Sequence, residues 1–74
     1  MRKLIVFFNG NAPYLVEVGE HLDSLPLVYP DQTQVDLPIQ SHMYPGRDIM
    51  EECFFVSDRD VIGRDIQRAI DTLL

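Results

Sequence analysis

At 74 residues, with twelve Asp and Glu against six Lys and Arg and a formal net charge of −6, the chain fits one small acidic domain, residues 1–74, and leaves no room for a second. Its one cysteine excludes an intrachain disulfide framework, and no stretch is long and apolar enough to span a bilayer. A chain this short has little core to spare, so self-association is an easy source of further burial.

Residues 3–8 form a continuous apolar run after Lys3, with Leu4, Val6 and Phe8 on one face and Ile5 and Phe7 on the other, the pattern of a central strand covered on both sides. The apolar part is only five residues long and no small-residue cleavage pattern follows. It is therefore not a secretory signal, and a cytoplasmic location is expected. Asn9-Gly10-Asn11-Ala12-Pro13 supplies turn residues, and residues 14–19 resume the alternation, with Tyr14, Val16 and Val18 opposite Leu15 and Glu17; together the two runs predict an antiparallel hairpin. Residues 20–25 suit a loop or one helical turn, and Leu27-Val28-Tyr29 a short third strand before the turn at Pro30-Asp31-Gln32. Thr33, Val35, Leu37 and Ile39 then alternate with Gln34, Asp36, Pro38 and Gln40, which predicts a half-solvated strand that Pro38 places at a sheet edge.

Residues 41–48, with Pro45-Gly46, are expected to form a loop, residues 49–53 a brief helical turn, and residues 53–56 a buried strand. Residues 57–74 carry the clearest periodicity. Ser57 is the expected N-cap, with Asp60 placed to reach back and Asp58 near the positive helix end. Ile62, Ile66, Ala69, Ile70 and Leu73 fall in one arc, with Val61 on its margin, and Asp60, Arg64, Gln67, Arg68 and Asp71 lie opposite. Gly63 sits beside the apolar arc, where close approach of the sheet or a partner would explain it.

The residue types that carry chemistry are poorly arranged for it. His21, Asp23, His42 and Cys53 match no compact metal-ligand spacing, so neither metal nor cofactor is expected. Cys53 lies between Glu51-Glu52 and Phe54-Phe55, whose charge and burial both raise a thiol pKa, and it reads as a structural residue. Asn9-Gly10-Asn11 lacks the second glycine and the Gly-Lys-Ser/Thr ending of a phosphate loop. Arg59, Arg64 and Arg68 are interleaved with Asp58, Asp60, Asp65 and Asp71, which opposes direct nucleic-acid binding.

The sequence therefore predicts an α+β domain: a small, mostly antiparallel sheet of four or five short strands with one C-terminal amphipathic helix packed on one face. The expected function is non-enzymatic, an acidic protein-protein interaction module or accessory subunit acting through oligomerisation or partner binding. Its candidate interface is Gln34 and Asp36 on the edge strand, Met43 and Tyr44 in the loop, and Leu74 at the helix end. The alternative is a nucleic-acid mimic that blocks a basic site on another protein. No Lys or Arg occurs between residues 4 and 45, and Glu17, Glu20, Asp23, Asp31 and Asp36 are the candidate acidic face.

Overall fold

A computed structural model describes all 74 residues. The apolar run becomes β1 (Arg2–Phe7), which pairs antiparallel with β2 (Tyr14–Val18) and parallel with β6 (Met50–Ser57). Antiparallel pairing of β5 (Gln40–Pro45) with β6 completes a mixed sheet of order β2-β1-β6-β5. A separate antiparallel hairpin joins β3 (Ser24–Val28) to β4 (Gln34–Pro38), and one helix, α1 (Gly63–Leu73), ends the chain. The α+β class is as expected, with six strands in place of four or five.

Alternation along β1 decides the layering. Ile5 and Phe7 point to the face where Cys53, Phe55, Ile66, Ala69 and Ile70 form one buried cluster. Leu4, Val6 and Phe8 point to the other, where they meet Val56 and Leu37 and are flanked by Leu25, Leu27, Tyr29 and Val35 of the hairpin segment. The sheet is thus sandwiched between the helix and the β3-β4 hairpin, and β1 is central and covered on both faces, as its unbroken apolar run requires. On the helix side the Phe7 and Phe55 rings meet edge to face with centroids 6.2 Å apart.

The turns follow local chemistry. Asn11 N donates to Phe8 O across Asn9 and Gly10, both at positive φ (56° and 69°), the type I′ geometry that matches the twist of a two-stranded hairpin. In the β3-β4 connection Gln32 N donates to Tyr29 O and Gln32 itself takes φ 73°, while Asp31 Oδ1 accepts from Thr33 N. Pro26 and Pro38 fit because each strand of this hairpin has a free edge.

Three expectations are corrected. Residues 41–48 are not one loop: residues 40–45 form β5, whose inward positions are His42 and Tyr44, so its period of two lacks the aliphatic signature of a strand. Residues 49–53 are not a helical turn, because β6 already begins at Met50. The helix starts at Gly63, not Ser57, because Ser57 still pairs with Phe7 as part of β6 and Asp58 N donates to Phe7 O. Ser57 Oγ accepts from Arg59 N in a tight local turn, and the helix is opened instead by Asp65, whose carboxylate accepts the Ile62 N–H. Ile62 consequently leaves the apolar arc and is exposed, and Gly63 is the first helical residue, not an interior one, with ordinary spacing to the His42 ring.

Candidate functional site

The pairing of β6 with β1 begins at Leu4 opposite Phe54, so residues 50–53 of β6 pair only with β5. The end of the sheet is therefore a two-stranded ribbon closed by residues 46–49. Register sets its faces: Met43, Pro45, Met50 and Glu52 share the side that the β3-β4 hairpin covers farther along, and Tyr44 and Glu51 share the helix side. Met43, Ile49 and Met50 are left 51%, 73% and 55% exposed along the ribbon and at its tip. Strand β5 is a sheet edge and contains no Asp, Glu, Lys or Arg, so none of the charges that usually protect an edge stands on it.

The two strands of the ribbon are tied locally. Tyr44 stands directly opposite Glu51 across the strands, and the neighbouring carboxylate, with burial adding to it, pushes the Tyr44 hydroxyl above its ordinary pKa. Gly46 N donates to Ile49 O at 2.8 Å. A Cβ at position 46 would lie 2.7 Å from both the Ile49 carbonyl oxygen and the Glu51 side chain, so only glycine fits. Gly46→Ala is expected to destabilise the protein by about 1–2 kcal/mol, read from urea melts, with the largest amide shifts confined to residues 44–51.

The second polar constellation lies at the opposite end of the sheet. One carboxylate oxygen of Asp58 accepts from Asn9 N at 2.8 Å and from Tyr29 Oη at 3.0 Å, with the side chain only 11% exposed. Burial by itself would raise the Asp58 pKa; the Asn9 amide, the Tyr29 hydroxyl, its own backbone amide and the Arg59 charge outweigh it and hold the carboxyl below its ordinary value. The Tyr29 hydroxyl is pushed up, by burial first and then by the carboxylate it binds. The cluster ties the turn after β1, the hairpin segment and the end of β6 to one atom.

Of the residues singled out from sequence, Gln34 and Asp36 lie together on the outer surface of the hairpin, along a shallow groove of ≈ 280 Å³ with Pro26 and Val28. Met43 and Tyr44 lie on strand β5, not in a loop, and point to opposite faces. Leu74 closes the helix and is 55% exposed. These five do not form one patch. The acidic residues are also dispersed. Glu17 shares the helix side of β2 with Leu15, Glu20 lies beside Arg2, whose guanidinium donates to Glu20 O, and Asp23 precedes β3. Asp31 is in the hairpin turn and Asp36 is on the outer layer.

Cys53 is buried among the helix-side apolar residues, and burial raises its thiol pKa, with Glu52 adding to the effect. No group of three or more His, Cys, Asp or Glu is arranged to hold a metal ion, and no helix is long and apolar enough to cross a membrane. Ile49 and Met50 escaped sequence reasoning because a helical turn was expected there. Their signal was available in the apolar pair directly after Gly46-Arg47-Asp48. Comparison with known proteins gives no significant match to any protein-family model, curated protein or solved structure.

Proposed function

We propose that the chain is an acidic protein-protein interaction module that associates with a second copy, or docks on a partner protein, through the β5-β6 ribbon. The observation that carries this reading is the coincidence, on one ribbon, of a charge-free edge strand with the exposed side chains of Met43, Ile49 and Met50. Unpaired strand edges recruit another strand, and methionine adapts to the surface it meets. Copies with a net charge of −6 repel one another over most of their surface, so uncharged β5 is the segment along which two can align at least electrostatic cost.

The mimic alternative requires carboxylates in one row. Glu17 and Asp36 stand on opposite layers, so the observations support the ribbon reading over it.

Sedimentation equilibrium on the wild type and on the double variant Met43→Glu, Met50→Glu tests the proposal. The wild type is expected to approach twice the mass of one chain and the variant to remain monomeric. A photo-crosslinking residue at position 49 in native cells covers partner docking, and is expected to give a discrete adduct that the double substitution abolishes. A wild type that stays monomeric and also gives no such adduct overturns the reading.

A further inference from the structure

Beyond the carboxyl ends of the parallel strands β1 and β6, a cleft of ≈ 270 Å³ opens between the turn after β1 and the helix. Ligands of open sheets with parallel strands commonly bind at such ends, because the connections leaving the strands part there. Here the turn after β1 contributes Pro13, the segment after β6 contributes Arg59, and the helix contributes Asp65, Arg68 and Ala69 over a floor formed by Phe7. Two of the chain's six cations thus converge on one concavity in a protein of net charge −6.

Neither guanidinium is consumed by the fold. Arg68 makes no ion pair, and Arg59 reaches Asp58 Oδ1 only at 3.8 Å, while the other oxygen of that carboxylate is held by Asn9 and Tyr29. Asp65, the one carboxylate in the lining, accepts the Ile62 N–H at the helix start. The Arg59 guanidinium carbon lies 5.8 Å from the centroid of the Phe7 ring, which joins a cationic wall to an aromatic floor.

We infer that this cleft binds an apolar monocarboxylate, with the carboxylate between Arg59 and Arg68 and the apolar group against Ala12 and Pro13, above the buried Phe7 and Ala69. Guanidinium groups pair with planar carboxylates through two parallel hydrogen bonds. Charge favours a monoanion over a dianion: Asp65 in the lining and Asp58, 3.8 Å from Arg59, offset part of the charge of the two arginines, so a phosphate dianion meets more repulsion than one carboxylate does. The volume is just below the lower bound of about 300 Å³ for drug-sized sites, which suits one aryl or branched alkyl group.

Amide chemical shifts during titration with sodium benzoate test the inference, with benzyl alcohol and phenyl phosphate as comparison probes. Saturable shifts are expected at Ala12, Arg59 and Ala69, with benzyl alcohol and phenyl phosphate about tenfold weaker or worse. Arg68→Gln, on an exposed helix position, is expected to weaken benzoate about tenfold with the spectrum otherwise unchanged, while Arg64→Gln, outside the cleft, changes it less than about twofold. A tripeptide ending in free phenylalanine, set against its C-terminal amide, distinguishes a chain-end carboxylate from a small free acid as the source. Shifts that are non-saturable, that persist unchanged in Arg68→Gln, or that phenyl phosphate matches at equal concentration overturn the inference. Met43→Glu leaves benzoate binding intact, so this site stands or falls independently of the ribbon.

Discussion

Leu37→Ala is expected to destabilise the protein by about 2–5 kcal/mol, the range for truncating a buried leucine whose surroundings close only partly over the gap. Leu37 is 6% exposed and is the one hairpin residue buried within the cluster of Leu4, Val6, Phe8 and Val56. A domain of this length has a total stability of roughly 4–11 kcal/mol, so the substitution removes a large part of it. The hairpin has no third strand to hold it, and two strands alone are marginal in water. Its attachment therefore depends on the apolar contacts that Leu37 centres. Urea unfolding of the variant should show both a lower midpoint and a smaller slope, because a detached hairpin leaves less surface to expose. A loss under about 1 kcal/mol would mean that the hairpin is not what seals that face.

Asp58→Ala is expected to cost about 1–2 kcal/mol, because it takes the shared acceptor from the part-buried Tyr29 hydroxyl and from the Asn9 amide, which water can still reach. Asp58→Asn keeps an accepting oxygen without the charge and should cost less. The pH dependence has a definite sign. The folded-state pKa of Asp58 lies below its unfolded value of about 3.9, so its contribution is complete above that value and is lost as pH falls through the folded one. Acid titration of stability should accordingly be shallower in Asp58→Asn than in the wild type over that window. Tyr29→Phe removes one of the donors that depress the pKa, and should move the acid transition upwards. Parallel acid curves for wild type and Asp58→Asn would contradict the assignment.

Much of the fold was legible where local pattern and tertiary demand agree. The two apolar faces of β1, the positive-φ turn at Asn9-Gly10, the alternation through Thr33 to Ile39 and the burial of Cys53 all follow from residue order. The parallel pairing of β1 with β6 was not legible, since Leu4 and Phe54 are distant in sequence and nothing local marks them as neighbours. That pairing also explains the error at Ser57: a good N-cap was recruited as the last residue of a strand, and Asp58 was taken by partners from two other segments. Strand β5 stayed hidden because His42 and Tyr44 turn inward where a strand usually places aliphatics. At the ribbon, Met43 stood out by residue type, but its sharing a face with Met50 depends on register. The arginine cleft is likewise visible only once the helix start has moved and Arg59 lies outside it.

The bond between the first strand and the last has a consequence for how the chain is made. Leu4 is synthesised fifty residues before its partner Phe54, an interval of roughly 3–10 seconds at about 5–20 residues per second. During it β1 can be covered by β2 and, once made, by the β3-β4 hairpin, but not along the edge that β6 takes. The β1-β2 hairpin is local and closes early, which protects one edge of β1 while the other stays open to any passing strand. Early closure of the Asn9-Gly10 turn thus leaves a single edge of β1 that waits for β6.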